Sequence, residues 1–258
     1  MFTPSYRGGG GPPLVLVHGF TDTWRGWELV LPALQVRFDV LAPTLPGHAG
    51  GPGLGELNGG TLADGVERAM DEAGFETARI AGNSLGGYVA LQLAERGRAE
   101  SVVALAPAGG WDDFDAHHPH LHEFFLTTHE LVLGAAPYAD EIMSTPEGRR
   151  RATEYTAERY EHIPAELLAH QLRGAAGCAS APLLDHAARE GFPLDFARIR
   201  CPVRIVWGAA DKVLPLPVAA ERYRRELADA DWVELPAVGH CPQLDVPAET
   251  AELIAGFP

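Results

Sequence analysis

A serine flanked by glycines, in the pentapeptide Gly82-Asn83-Ser84-Leu85-Gly86, constrains the fold of this chain more than any other feature. The residues just before it form a short β-like run, and residues 87–96 have the composition and periodicity of a helix. A strand that passes directly into a helix needs a sharp turn, where glycines allow close packing and backbone angles hostile to a Cβ. This context predicts that Ser84 is a nucleophile held on the turn. The alternative is an ordinary glycine turn with a solvent-facing hydroxyl.

Strands and helices alternate along the chain on both sides of this turn. Apolar runs of strand length predict buried strands at residues 14–17, 38–42, 79–82, 102–105, 203–207 and 231–235. Helical patterns are found at residues 23–34, 61–73, 87–96, 217–227 and 246–257. At the second of these helices, Thr61 and Asp64 have the spacing of a capping box. The alternation predicts an α/β fold, a mostly parallel sheet with helices on both faces.

The alternation stops between residues 111 and 192. Strand-like runs are missing there, and helical stretches rich in His, Glu and aromatic residues are separated by prolines. We therefore expect two units, a core domain of residues 1–110 and 193–258 and a helical insertion of residues 111–192.

The composition disfavours several classes of partner. A formal net charge of −15, from 35 acidic and 20 basic residues, repels nucleic-acid phosphates and anionic membranes but says little about a neutral small molecule. The three cysteines are widely spaced, so we expect no disulfide framework and a reducing compartment. The chain opens without a signal-peptide pattern, and no apolar run approaches 18 residues. A cytoplasmic location is the resulting expectation.

A serine nucleophile needs a base of near-neutral pKa and a carboxylate that fixes the tautomer of that base. In a parallel sheet, reacting groups gather beyond the carboxyl ends of the strands. Asp211 and His240 each follow a predicted strand through a short loop. The order Ser84, Asp211, His240 matches the order nucleophile, acid, base. Rival acids, Asp112 and Asp113, follow the strand at residues 102–105.

With these motifs in place, the chain resembles the α/β-hydrolases. The matching pieces are His18-Gly19-Phe20, Leu45-Pro46-Gly47-His48, the serine pentapeptide, residues 207–215 around Asp211, and Val238-Gly239-His240. The resemblance implies that Ser84 is the nucleophile, His240 the general base and acid, and Asp211 the orienting carboxylate. It also implies an oxyanion hole formed by the backbone N–H groups of Phe20 and Leu85.

The resemblance extends to the insertion and differs at the N-terminus. Residues 111–192 correspond in length and helicity to the family's variable cap, where Trp111, Phe124 and Phe125 are expected to line a substrate pocket. The family usually has two antiparallel strands before the first parallel one, but only 13 residues precede Leu14. Residues 2–6 are expected to supply one of these strands.

The function expected from the resemblance is cofactor-free hydrolysis of a carboxylic ester or related small acyl substrate through an acyl-enzyme on Ser84. Two alternatives stay open. A carbon–carbon hydrolase or proton-abstracting lyase would use the same three residues, and the arginines of the insertion would clamp its acidic substrate. A ligand receptor would keep the fold without the reaction. A serine instead of an aspartate at position 84 disfavours the dehalogenase and epoxide-hydrolase branches.

Two further features, a histidine cluster and Cys241, are predicted to have no part in metal binding or catalysis. Among His117, His118, His120 and His122, Pro119 interrupts the spacing that a metal site needs, so we expect solvated histidines and no metal. Cys241 lies beside His240, which is already assigned to Ser84. We therefore expect Cys241 to be a small packing residue.

Overall fold

A computed structural model describes the backbone of residues 1–111 and 114–258 and the side chains of residues 1–111 and 121–258. Seven strands of the described chain form one sheet in the order β1-β3-β2-β4-β5-β6-β7. The strands are β1 Ser5–Gly9, β2 Pro13–Val17, β3 Asp39–Pro43, β4 Ala78–Asn83, β5 Ala99–Leu105, β6 Val203–Gly208 and β7 Asp231–Leu235. Only β1 runs antiparallel to its neighbour, β3. This arrangement confirms the predicted α/β fold with a mostly parallel sheet.

The helices lie on both faces of the sheet and in the insertion. Those of the core are α1 Leu31–Leu34, α2 Thr61–Ala73, α3 Leu85–Glu95, α9 Glu221–Glu226, α10 Pro242–Asp245 and α11 Pro247–Ala255. Those between β5 and β6 are α4 Phe114–Ala135, α5 Ala139–Met143, α6 Pro146–Thr153, α7 Ala165–Ala176 and α8 Ser180–Glu190. We call residues 114–190 the helical segment. None of the helices in the described part of the chain is both long and apolar enough to cross a bilayer.

Alternation of side chains along the central strands creates two cores. In β2, Val15 and Val17 face a cluster that includes α2 and α3, while Leu14 and Leu16 face one that includes α1 and α11. Successive side chains of a strand point to opposite faces, so a strand covered by helices on both sides must be apolar throughout. This explains why the buried strands read as unbroken apolar runs.

Several local predictions need correction. Gly60, not Thr61, is the N-cap of α2, and Thr61 Oγ1 instead accepts a hydrogen bond from the Asn58 N–H at 2.9 Å. The helix expected at residues 23–34 is a 3₁₀ turn, Trp24–Trp27, followed by the short α1. That expected at residues 217–227 is likewise a 3₁₀ turn, Val218–Ala220, followed by α9. The edge strand β1 lies at Ser5–Gly9 and not at residues 2–6.

The helical segment contacts the core through a third apolar cluster. Its members from the segment include Met143, Ile163 and Leu167, and they pack with Cys241 and Leu244 of the core. The Cys241 N–H also donates to the Thr156 carbonyl oxygen at 2.8 Å. The stretch between α6 and α7 is therefore packed directly on the loop that carries His240.

Candidate active site

Ser84 occupies the junction where β4 ends and α3 begins. Its backbone has φ 54° and ψ −119°, a combination that non-glycine residues rarely adopt. Four backbone hydrogen bonds hold it there. The Ser84 N–H donates to the Leu105 carbonyl at 2.8 Å, and the Ser84 carbonyl accepts from the N–H groups of Gly87, Tyr88 and Ala108 at 2.9, 3.1 and 3.0 Å. The surrounding strands and helix therefore over-determine the strained turn.

The glycines beside Ser84 are needed for close approach and not for unusual backbone angles. Neither Gly82 nor Gly86 has a positive φ. A Cβ on Gly82 would collide with the carbonyl of Gly86, and a Cβ on Gly86 would collide with the carbonyl of Val17. The strained angles that the sequence suggested for the turn fall on Ser84 itself, while the glycines let β2, β4 and α3 pack together.

Asp211 and His240 come together at the carboxyl ends of β6 and β7. His240 Nδ1 lies 2.7 Å from Asp211 Oδ2, and both residues are only 5% exposed. The other carboxylate oxygen, Oδ1, accepts from the N–H groups of Val213 and Leu214, both at 2.8 Å. Because the carboxylate can only accept, it assigns the proton to Nδ1 of the imidazole. Nε2 is then left as the basic nitrogen.

Asn83 links the serine turn to the histidine loop, a role that the sequence analysis missed. Its Nδ2 donates to the carbonyls of His240 at 3.0 Å and Leu105 at 3.1 Å. Its Oδ1 accepts from Gln243 Nε2 at 3.0 Å and from Cys241 Sγ at 3.4 Å. The only local signal was a polar residue at the end of an apolar strand. Three of its four partners lie 157 to 160 residues away in sequence.

Cys241 is a buried thiol that completes this network. Burial, with smaller contributions from nearby carboxylates, raises the pKa of Cys241 well above its ordinary value. The thiol is therefore protonated at neutral pH and donates a hydrogen bond to Asn83 Oδ1. A protonated, buried thiol is a poor nucleophile.

Asp245 fixes the same loop from the opposite side. Its Oδ2 accepts from the Gly239 N–H at 2.7 Å and from the Glu158 N–H at 2.9 Å, and its Oδ1 accepts from the Arg159 N–H at 2.9 Å. Asp245 is 2% exposed. One buried carboxylate therefore connects the residue before His240 to the helical segment.

The residues expected to form the oxyanion hole border the serine. A Cβ on Gly19 would lie 3.4 Å from the Ser84 Cβ, so the loop after β2 passes directly beside the hydroxyl. Phe20 and Leu85 line the same cavity as Ser84. Neither the Phe20 N–H nor the Leu85 N–H is occupied by a protein acceptor among the described residues.

Two buried histidines, both in their neutral form, hold this loop. His18 Nε2 accepts from the Leu45 N–H at 2.9 Å, and its Nδ1 lies 2.7 Å from the Gly19 carbonyl. His48 Nδ1 lies 3.1 Å from the Pro46 carbonyl. Burial lowers the pKa of His18 well below its ordinary value and that of His48 to about 4. The hydrogen bonds of His18 and His48 all go to backbone groups of neighbouring loops and not to Ser84 or His240, which fits a structural role.

A cavity with about 1000 Å³ of empty space, partly open to solvent, begins at Ser84. Trp111 and Phe125 line it, but Phe124 is outside the lining set and packs against Phe125 and Tyr155 with ring centroids 5.3 and 5.0 Å apart. The lining residues in the described part of the chain include no Asp, Glu, Lys or Arg. His240 and Asp211 do not border the cavity either. The space beside the serine is therefore predominantly apolar, with His122 and His186 as the two histidines of its lining.

Some candidates from the sequence lie outside what the structure describes. These are Asp112 and Asp113, the rival acids, and the side chains of His117, His118 and His120. His122 Nε2 lies 3.5 Å from Asp185 Oδ1. Across the described residues, no three His, Cys, Asp or Glu side chains are grouped as a metal ion would require.

Comparison with known proteins places the chain in a family. A family model described as "Alpha/beta hydrolase family" matches residues 14–253. The epoxide hydrolase EphH of Mycobacterium tuberculosis is 31% identical over 207 residues, covering 78% of this chain and 95% of the relative. A pimeloyl-[acyl-carrier protein] methyl ester esterase of Aromatoleum aromaticum is 29% identical, covering 94% and 96% of the two chains.

More distant likenesses agree on the fold. A 2-hydroxymuconate semialdehyde hydrolase of Pseudomonas sp. (strain CF600) is 26% identical, covering 99% of this chain and 89% of the relative. Among solved structures, a membrane phospholipase A superposes with a TM-score of 0.76 at 25% identity, covering 98% of this chain and 81% of that one. The family match, together with the parallel sheet and the serine turn, leads to one conclusion: the chain belongs to the alpha/beta hydrolase family.

Proposed function

We propose that this protein is a cofactor-free serine hydrolase that cleaves carboxylic esters through an acyl-enzyme on Ser84. The observation that carries the proposal is the buried His240–Asp211 pair, whose loop is tied by Asn83 to the strained turn that presents Ser84. A buried carboxylate that fixes the tautomer of a histidine is the arrangement that activates a serine hydroxyl.

Each group has a defined step in this mechanism. Ser84 Oγ attacks the ester carbonyl while His240 Nε2 takes the hydroxyl proton, and the Phe20 and Leu85 N–H groups stabilise the resulting oxyanion. His240 returns the proton to the departing alcohol, which leaves an acyl-Ser84 ester. A water molecule then attacks this ester with His240 as base, and the carboxylic acid and free Ser84 are regenerated. Asp211 stabilises the imidazolium in both halves.

An ester fits a serine nucleophile better than an epoxide does. Attack on an epoxide carbon would join Ser84 to the substrate through an ether, which has no carbonyl for water to attack. A carboxylate nucleophile instead forms an ester that can be hydrolysed. The presence of serine at position 84 therefore favours ester cleavage, although an epoxide hydrolase is among the relatives.

The cavity also favours a neutral substrate over the acidic substrate of a carbon–carbon hydrolase. The five arginines considered as a clamp are Arg149, Arg150, Arg151, Arg159 and Arg173. None of them belongs to the cavity lining of the described residues. Arg150 and Arg173 are paired instead with Glu147 and Asp140 at 2.8 and 3.1 Å. An anionic substrate would meet no Lys or Arg among the described lining residues, where His122 and His186 are the side chains able to take up a proton and become cationic.

We also propose that residues 111–192 act as a cap over the cavity. Leu121 and Phe125 of α4 and Leu183 and Leu184 of α8 contribute to the lining, opposite α3 of the core. In this arrangement the core supplies the reacting groups and the insertion supplies much of the substrate-binding surface.

The test compares hydrolysis of p-nitrophenyl esters by the native protein, by Ser84→Ala and by Ser144→Ala, at a serine whose hydroxyl donates to the Glu141 carbonyl in its own helix end. We expect Ser84→Ala to lose at least about 10³-fold in kcat/KM, since removal of a triad member leaves only binding and oxyanion stabilisation. Mass spectrometry of the quenched native enzyme should detect an acyl group on Ser84. Equal rates for native protein and Ser84→Ala would refute the proposal, and hydrolysis of styrene oxide but of no ester would replace it. Binding of esters without turnover would indicate a receptor.

A further inference from the structure

The floor of the cavity is one face of α3, which leads away from Ser84. Leu85, Tyr88 and Gln92 all border the cavity. They are three and four residues apart, so they lie on the same face of the helix. Gln92 is eight residues beyond Ser84, which corresponds to about 12 Å along the helix axis at 1.5 Å per residue. The cavity therefore extends along α3 from the serine to Gln92.

The cavity holds the acyl side of the substrate, an assignment that rests on the proposed function. His240 must reach the oxygen of the leaving alcohol, so the alcohol departs on the side of the imidazole. His240 does not border the cavity, whereas Ser84, Phe20 and Leu85 do. The substituent that lies along α3 is therefore the other group on the carbonyl, the acyl chain.

The far end of the cavity contains a fixed amide. Gln92 Nε2 donates to the Gly59 carbonyl at 2.8 Å and to the Tyr88 hydroxyl at 3.0 Å, and the Tyr88 hydroxyl in turn donates to the Pro193 carbonyl at 2.8 Å. A flipped amide would bring its oxygen against the Gly59 carbonyl, which cannot donate. These bonds therefore fix the orientation of the Gln92 side chain.

The amide oxygen of Gln92 is an open acceptor. Both Nε2 hydrogens are used, and no residue in the described part of the chain donates to Oε1. Gln92 is 7% exposed, and it borders the cavity. This oxygen is not among the buried, unpaired side-chain atoms of the described residues, so it is accessible from the cavity that Gln92 borders. A substrate group that donates a hydrogen bond at this point would meet an acceptor that no protein donor occupies.

The length between the two ends limits the chain that fits. An extended chain advances roughly 1.2 Å per bond, since three backbone bonds span at most about 3.6 Å. The Gln92 side chain leans back toward the start of α3, which shortens the distance of about 12 Å by a few ångström. A chain of about seven to nine carbons spans what remains.

We propose that the cavity is an acyl site for straight-chain acids of about seven to nine carbons that carry a hydrogen-bond donor, such as a hydroxyl, at the far end. Gln92 Oε1 accepts from that donor, and the apolar walls cover the methylene groups. A terminal carboxylate is disfavoured at this point, because it would face the acceptor oxygen of Gln92 and not a donor.

The experiment measures kcat/KM of the native protein for four p-nitrophenyl esters: acetyl, octanoyl, 8-hydroxyoctanoyl and 7-carboxyheptanoyl. We expect 8-hydroxyoctanoyl to exceed octanoyl by about tenfold, the value of one net hydrogen bond, and 7-carboxyheptanoyl to be the poorest of the three long esters. Gln92→Leu should reverse the order of octanoyl and 8-hydroxyoctanoyl. Gln171→Leu, the same change at a residue outside the cavity lining, should keep the native order.

The acetyl ester separates this proposal from the one on which it rests. If the native protein hydrolyses no ester, the proposed function fails. If hydrolysis depends on Ser84 but octanoyl equals or exceeds 8-hydroxyoctanoyl, or if 7-carboxyheptanoyl is preferred, the acyl-site proposal is overturned. The comparison of native rates decides this even if Gln92→Leu does not fold.

Discussion

Ser84 has a backbone conformation that non-glycine residues rarely adopt. Hydrogen bonds and close packing with neighbouring residues impose this conformation. Strain of this kind costs on the order of 1–3 kcal/mol and persists only where the surrounding contacts impose it. Gly86 supplies one of these contacts by letting α3 approach the end of β2. The position of the Ser84 hydroxyl thus depends on the absence of a Cβ atom at Gly86.

A methyl group at Gly86 tests this dependence. We expect Gly86→Ala to lower the free energy of unfolding by about 3 kcal/mol or more, because the added Cβ collides with backbone carbonyls that cannot move aside. Urea denaturation followed by circular dichroism measures the change. Gly134→Ala in α4 is the control: nothing lies within 4 Å of its added Cβ, and alanine should stabilise the helix by up to about 1 kcal/mol. Equal stabilities for the two variants would contradict the role assigned to Gly86.

Asp22 lies two residues after Phe20 in the loop that follows β2, and its pKa is shifted toward neutral pH. Burial raises its pKa from 3.8 to about 6, although it accepts from the Thr23 N–H at 2.8 Å and from Gln171 Nε2 at 3.2 Å. Between pH 4 and 6 the folded state therefore binds a proton that the unfolded state does not. Stability falls as the pH rises through this window, and the full cost of the charge is present above it.

Replacing this carboxylate by its neutral isostere should remove the cost. We expect Asp22→Asn to raise the free energy of unfolding by about 1–2 kcal/mol at pH 7, with the gain vanishing near pH 4, where the native carboxyl is also neutral. Urea titrations at both pH values provide the measurement. Asp229→Asn, at an exposed carboxylate, should change stability at neither pH. A gain of equal size at pH 4 and pH 7 would show that the charge of Asp22 is not the cause.

At the scale of elements, two buried polar side chains join parts of the chain that are far apart in sequence. Asn83 connects the end of β4 to the loop after β7, and Asp245 connects that loop to the stretch between α6 and α7. Both networks use backbone N–H or C=O groups as partners, so they hold the loop itself and not only the His240 ring. The loop is consequently fixed from the sheet side and from the helical segment.

Asp245→Asn weakens the second of these connections with little change in volume. In either amide orientation at least one of the three N–H groups loses its acceptor, so we expect a loss of about 1–3 kcal/mol in unfolding free energy. We also expect kcat for the octanoyl ester to fall about tenfold with little change in KM, because Gly239 positions His240. Urea denaturation and steady-state kinetics test both, with Glu252→Gln, exposed on α11, as control. Reduced stability with an unchanged kcat would assign Asp245 a purely structural role.

The sequence predicted elements better than it predicted the contacts between them. The strands of the sheet were located to within a few residues, because apolar runs bounded by turns identify buried parallel strands. Ser84, Asp211 and His240 were predicted to act together from their places after strands, and the structure joins the last two through a hydrogen bond. Asn83, Gln92 and Asp245 were missed, because their partners are set by tertiary packing and leave no local pattern. The Thr61 prediction failed for a similar reason, since its hydroxyl bonds to Asn58 instead of capping the helix.

For the whole molecule, burial of neutral histidines makes stability sensitive to acid. Burial lowers the pKa of His18 well below 6.5 and lowers those of His48 and His170 to about 4. Between about pH 6.5 and 4 these histidines are therefore protonated in the unfolded chain but neutral in the folded chain. The free energy of unfolding falls as the pH drops through this range. Asp22 acts in the opposite direction, but it is one group against three.

We expect the free energy of unfolding to fall by roughly 2–5 kcal/mol between pH 7 and pH 4.5. Urea titrations at intermediate pH values give the slope directly. In His170→Gln the fall in unfolding free energy between pH 7 and pH 4.5 should be smaller by roughly 2 kcal/mol, since one of the three histidines that bind a proton on unfolding is removed. Stability that stays level or rises on acidification would contradict the burial of these histidines as neutral rings.

Residues 106–202, which contain the helical segment, leave the sheet after β5 and return at β6. These two strands are direct neighbours, with Val102 beside Val203 and Leu105 beside Val206. An excursion of nearly a hundred residues thus begins and ends at adjacent points, so exchanging it would leave the hydrogen-bonded ladder between the strands unbroken. Such a module is suited to recombination. A relative's segment grafted at this junction would replace part of the cavity lining, while Ser84, Asp211 and His240 would stay on the unexchanged part.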